Sequence, residues 1–158
     1  MAEFGYHTIG AGFENHSNAA IYANAHTYSP AEDGVLDSIF VHCRKSSDGT
    51  IQVKFALYDV SDGSLVAETV EIDVIFDGGA YHWYEAAVVG DIDVFAVKNY
   101  RFAWKQSDSL YVNKDVGSLD RKYDMEAYGD PWPDPSNWST ETGKPRIFCL
   151  CNIHARRS

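Results

Sequence analysis

"IQVKFALYDVSDGSLVAETVEIDVIFDGG", residues 51–79, decides the fold. In its first part Val53, Phe55 and Leu57 point one way, while Gln52, Lys54 and Ala56 point the other. A period of two is the mark of a strand, because successive side chains leave opposite faces. Asp62-Gly63 then interrupts the run with a turn dipeptide, since glycine accepts positive φ and aspartate tolerates it. Past the turn, Val66, Val70, Ile72 and Val74 share a face opposite Thr69, Glu71 and Asp73, until Asp77-Gly78 closes the stretch. Such one-sided alternation predicts antiparallel sheets, each with a dry face and a wet one.

The same rhythm extends outward. Asp-Gly recurs at 33–34, 48–49, 62–63 and 77–78, at intervals of 15, 14 and 15 residues. Each interval holds roughly ten residues of strand and a short turn, so the dipeptides read as hairpin corners. In "YRFAWK", Tyr100, Phe102 and Trp104 oppose Arg101 and Lys105. Further strand candidates are 19–28, 35–44, 81–89, 109–114 and 146–154. No segment carries a capped 3.6-residue period, so helix should be almost absent. Strands of this number and patterning predict an all-β, two-sheet antiparallel β-sandwich, with jelly-roll connectivity.

The chain has 158 residues, enough for one domain with a real core. No apolar run approaches the roughly 20 residues that cross a bilayer, so membrane insertion is not expected. The start "MAEFGYHTIGAGF" lacks a basic segment followed by a long apolar one, so no secretory signal is expected either. The net charge is −10, and residues 1–100 hold 4 Lys and Arg against 15 Asp and Glu. A body this acidic repels phosphate backbones, which argues against nucleic acid as a partner. The terminal "HARRS" is too short to reverse that.

Chemistry-bearing patterns are sparse. Glu71 and Asp73 leave one strand face as retaining glycosidases require of their carboxylates, but Ile75 stands where the third acid of that pattern would be. Asp59, Ser61 and Asp62 resemble part of a calcium loop without its distal glutamate, and a tight hairpin accounts for them. The six histidines form no zinc spacing, and no Gly-x-Ser-x-Gly elbow is present. No catalytic residue, metal site or cofactor is therefore expected, with a structural calcium among the loops left open. Cys149 and Cys151 lie two apart on a strand candidate, a poor disulfide pair, and Cys43 can reach either if the strands are neighbours. Free buried thiols are the simpler expectation. Asn15-His16-Ser17 and Asn137-Trp138-Ser139 fit the glycosylation pattern, read as coincidence without a signal peptide.

Aromatic residues are 14% of the chain. Trp83 and Trp104 are expected in the core. Trp132 and Trp138 bracket the proline-rich stretch "AYGDPWPDPSNWS", 127–139, and with Asp134 and Tyr128 are the candidate ligand contacts. Flat rings beside polar groups are how many β-sandwich modules hold a sugar.

"FGYHTIG" at the start, "YSPAEDGVLDSIFVHCR" at 28–44, "VKFALYDVSDGSLVAET" at 53–69 and "AYHWYEAAV" at 80–88 together resemble a recurrent jelly-roll module. "NYRFAWK" at 99–105, "AYGDPWPDPSNWS" and the closing "RIFCLCNIHA" continue the likeness. Modules of this type serve as decoration or fibre domains of tailed-phage virions, and resemble carbohydrate-binding modules of surface proteins. The resemblance implies an arm through Tyr128, Pro133, Asp134 and Pro135 that closes one edge or end of the sandwich, and it transfers no catalytic residues. The stretch 1–18, rich in Gly, Asn and aromatics and with only a weak strand pattern, reads as a docking arm or first strand, and 19–158 as the sandwich, closed by the arm 127–139. The function expected is a non-enzymatic structural or recognition module of a virus particle. Its partners would be capsid or tail proteins, or further copies of itself. It would be made in the host cytoplasm and carried in the virion. The alternative is a free carbohydrate-binding module on a cell surface or outside the cell, contacting a glycan.

Overall fold

The computed structural model describes residues 2–5, 12–17, 20–24, 26–45, 47–114, 119–144 and 149–154. Among the described residues all thirteen elements are strands: β1 Ala2–Gly5, β2 Gly12–His16, β3 Ile21–Ala23, β4 Gly34–Lys45, β5 Thr50–Asp59, β6 Leu65–Glu68, β7 Ile72–Ile75, β8 His82–Val94, β9 Tyr100–Gln106, β10 Leu110–Lys114, β11 Leu119–Asp124, β12 Ser139–Lys144 and β13 Cys149–His154. The all-β expectation holds. No helix among the described residues is long and apolar enough to cross a membrane.

Two antiparallel sheets face each other. In the first, β4 is the spine, with β8 along one side. Along its other side β13 pairs Val35 to Val41 and β10 pairs Cys43 to Lys45, flanked by β1 and β2 respectively. The second sheet runs β12-β11-β3-β9-β5, and β6 and β7 share the far side of β5. Between the layers lie Leu36, Ile39, Val41 and Cys43 of β4 against Val53, Phe55 and Leu57 of β5 and Tyr100, Phe102 and Trp104 of β9. The inward faces expected for β5 and β9 are thus the observed ones.

Leu36 and Ile39 both face inward although three residues apart, because a bulge at Asp37 shifts the register of β4 against β13 and β8. In β8 the register sets Tyr84 opposite the core residue Val41 and Trp83 opposite His42. Trp83 is accordingly half-buried on the outer face of the first sheet, not in the core as expected, and Tyr84 packs inward.

The Asp-Gly corners have a different meaning from the one read in the sequence. Only Asp62-Gly63 closes a hairpin between neighbouring strands, β5 and β6. Asp48-Gly49 passes the chain from the first sheet to the second, Asp77-Gly78 returns it, and Asp33-Gly34 opens β4. Gly49, Gly63 and Gly78 have φ of 105°, 75° and 56°. The dipeptide reports a left-handed corner, which serves a crossing between layers as well as a hairpin.

A backbone seam joins the layers. Between β6 and β7 the amide of Thr69 donates to Phe55 O of the second sheet, and the next amide, Val70, donates to Ala87 O of the first. The sandwich is therefore stitched along the β6–β8 side.

Residues 1–18 contribute β1 and β2, hydrogen-bonded to β13 and β10, and Phe4 is 4% exposed in the core. The remaining residues of that segment outside the two strands and Ser17, and the terminal 155–158, lie outside the described residues.

The β5–β6 corner also holds the best-defined ion pair. Asp59, 2% exposed, accepts hydrogen bonds from Lys98 Nζ at 2.6 Å, Ser61 Oγ at 2.6 Å and Ser61 N at 2.9 Å. Lys98 foremost, and Ser61 after it, hold the carboxyl down at about 2. A folded-state value below the ordinary carboxylate value of about 3.9 stabilises the fold at higher pH, and that contribution is lost as pH falls toward 2. Asp59→Asn is expected to cost about 1–2 kcal/mol at neutral pH, because half of the pair, Lys98, is solvent-screened. Urea titrations from neutral to acid pH should show the gap between wild type and variant closing below about pH 4.

Candidate functional site

The proline-rich segment between β11 and β12 lies over the outer face of the second sheet. Ala23, Ala103 and Ala56 stand in one cross-strand row over β3, β9 and β5. Three small side chains leave a trough, and Trp132 fills it, 7% exposed, in a cluster with Ile21 and Tyr58 against which Leu65 and Trp138 pack. This sheet therefore carries an apolar strip on its outer face as well as its inner one. The alanines are the residues that sequence reasoning passed over, since on a face read as wet they suggested nothing.

Polar contacts tie the segment down along its length. Tyr58 OH donates to Pro133 O at 3.0 Å, Leu65 N donates to Asp134 Oδ1 at 3.0 Å, and Ser136 N donates to Gly63 O at 2.8 Å. Lys105 Nζ donates to Asp130 O, and Tyr128 OH donates to Glu71 Oε2. The Asp134-Pro135 bond is cis. Gly63 packs so closely that a Cβ there would lie 3.2 Å from Ser136 Oγ.

All four candidate contacts thus belong to one segment. Trp132 lies in the alanine trough. Trp138 is half-buried, its ring edge-on to Tyr58 with centroids 5.1 Å apart. Asp134 is exposed and accepts from β6. Tyr128 is half-buried, with Lys54 Nζ 5.5 Å from its ring centre. Burial first, then the bond to Glu71, pushes its hydroxyl pKa up. Glu71 and Asp73, weighed as a catalytic pair, accept from Tyr128 and from Gln52 Nε2 respectively.

Between the segment and the sheet runs a groove of about 380 Å³, floored by Lys54 and Lys105 and walled by Glu68, Gly129, Pro131 and Trp132. Lys105 is 3% exposed and its ammonium sits 4.5 Å from the centre of the Trp132 ring.

The outer face of the first sheet is built differently. Arg44 of β4 lies among three rings, with its guanidinium carbon 4.6 Å from the centre of Tyr111, 5.1 Å from Tyr81 and 5.8 Å from Phe13. His42, two residues back on the same face, stacks on Tyr81 and meets Trp83. Phe13 is 53% exposed. Among the described residues no carboxylate pairs with Arg44, and its Nε is buried without a hydrogen-bond partner.

Among the described residues no three His, Cys, Asp or Glu side chains converge as metal ligands. At Asp59, where a calcium loop was weighed, Lys98 supplies the positive charge. Cys43 is a free, fully buried thiol, and burial pushes its pKa far above the ordinary value. Cys149 and Cys151 stand in register with Val41 and Ile39, while their side chains lie outside the described set. No protein-family model matches the chain, and no curated protein matches it.

Proposed function

We propose that the protein is a non-enzymatic structural and recognition module of a virus particle, a phage capsid decoration or fibre protein, with jelly-roll connectivity. It docks through the outer face of its first sheet onto a capsid or tail protein, is made in the host cytoplasm and is carried in the virion. The observation that carries the docking is Arg44, paired with no described carboxylate, among Phe13, Tyr81 and Tyr111 on the outer face of the first sheet, where Phe13 is 53% exposed. Arginine and aromatic side chains dominate the energetic centres of protein interfaces. A half-buried guanidinium without a counter-ion favours a partner that presents a carboxylate. The sequence likeness to virion modules supports the setting.

Phe13→Ala combined with Arg44→Glu is expected to weaken attachment to the parent particle by at least about tenfold, since both changes strike the proposed energetic centre. Co-sedimentation with particles lacking the protein reads this, and unchanged occupancy by the double variant rejects the docking face. Deleting residues 1–18 is a poorer test of the docking-arm idea, because it also removes β1, β2 and the core side chain of Phe4.

The second reading is a carbohydrate-binding module, favoured by the groove under the proline-rich segment. A glycan array comparing wild type with Trp138→Ala separates the two readings.

A further inference from the structure

We propose that the groove beneath the proline-rich segment binds an acidic sugar, whose carboxylate sits between Lys54 and Lys105. This deepens the carbohydrate reading and rests on it, while docking through the opposite sheet is independent of it.

The argument starts from a broken local rule. Lys54 of β5 and Lys105 of β9 are direct cross-strand partners. Like charges at such positions repel and weaken the ladder. Lys105 is 3% exposed, and its described contacts are a backbone carbonyl, Asp130 O, and the Trp132 ring. Among the described residues no carboxylate pairs with it, and the one ion pair of Lys54, to Glu71, is loose at 3.9 Å. A buried ammonium with no direct ion pair is costly, and Glu68, Asp130 and Glu126 act on this one only from beyond pairing distance. Burial, and then the charge of Lys54, depress the Lys105 pKa, against the smaller opposing pull of Glu68, Asp130 and Glu126. Departures from local consistency of this kind concentrate where a protein binds something.

The rest of the groove narrows the class. Two ammoniums ask for an oxyanion, but the exposed Glu68 and the carboxylate of Asp130 flank them and oppose a doubly charged phosphate. One negative charge suits the site better. Glu68 and the backbone of Gly129 and Asp130 can meet hydroxyl groups, and Pro131 with the rim of Trp132 offers an apolar wall for a sugar's C–H face. About 380 Å³ lies near the small end of ligand sites, the size of a single sugar or a short oligosaccharide.

The test is titration of the full chain with D-glucuronate and with oligogalacturonate, followed by backbone amide shifts in NMR spectra. D-glucose, acetate and inorganic phosphate are the comparators. Saturating shifts are expected at Lys54, Lys105 and Gly129, with glucose and acetate each weaker by at least about tenfold. Lys54→Gln should weaken glucuronate by about tenfold while leaving the thermal midpoint equal or higher, because it also relieves the cross-strand repulsion. Lys105→Met should do the same to binding, and should it fail to fold, Lys54→Gln carries the test. Glucose binding as tightly as glucuronate would overturn the acidic-sugar inference and spare the carbohydrate reading. Equal binding of acetate, or tighter binding of phosphate, rejects the sugar class. No response to any sugar, or shifts confined to the Arg44 face, removes both.

Discussion

Trp132→Ala is expected to destabilise the protein by about 3–5 kcal/mol, the range for truncating a large buried aromatic side chain. The indole is 7% exposed and fills the trough made by Ala23, Ala56 and Ala103, so its loss opens an apolar strip of the second sheet to water. The flanking bonds, Tyr58 to Pro133 O and Lys105 to Asp130 O, depend on the segment being seated. Two readouts are expected to move. Urea unfolding should shift to a lower midpoint, and limited proteolysis should cut within 127–138 before the rest of the domain opens. A variant that keeps both the wild-type midpoint and the wild-type protection would show that the indole is incidental to the seating of the segment.

Trp104→Ala carries a cost of similar size, about 3–5 kcal/mol, for a different reason. Trp104 is 0% exposed between the layers, stacked on Tyr22 with centroids 6.0 Å apart and meeting His16 edge-on at 5.3 Å. Its removal leaves a cavity between the sheets and touches nothing in the proline-rich segment. Cleavage in 127–138 and global unfolding should therefore coincide in this variant, where they separate in Trp132→Ala. The same two measurements on the pair test whether the segment is an independently releasable unit.

The strand character was legible because alternation is a local signal. Val53, Phe55 and Leu57 face the core as their spacing demands, and so do Tyr100, Phe102 and Trp104. The opposite face of those strands was misread as wet. Lys54 and Ala56 have the composition of a solvated face, and the roof over them comes from residues some seventy positions along the chain, a distance no local period can report. The exchange of Trp83 and Tyr84 has a similar cause. Either ring satisfies the pattern of "YHWYEA", and the choice was made by pairing with β4, whose own phase is reset by the bulge at Asp37. Of candidate 19–28, Ile21–Ala23 form a strand through pairing with β9 and β11, and Tyr28 makes an isolated bridge to Tyr100. Of the candidate site, the segment itself was legible in its prolines and tryptophans. Its floor was not, since the facing of Lys54 by Lys105 exists only once β5 and β9 are paired. The Arg44 cluster was equally hidden, being assembled from β2, β4, β10 and the approach to β8.

The switch of hydrogen bonding at Thr69 and Val70 bears on how copies of this protein can meet. An open sandwich usually exposes long rows of unpaired amides, which recruit other chains into cross-β stacks. Here part of that row is spent within the molecule, where Val70 donates to Ala87 O. At that point the edge is already occupied, so a further strand could pair there only by breaking this bond.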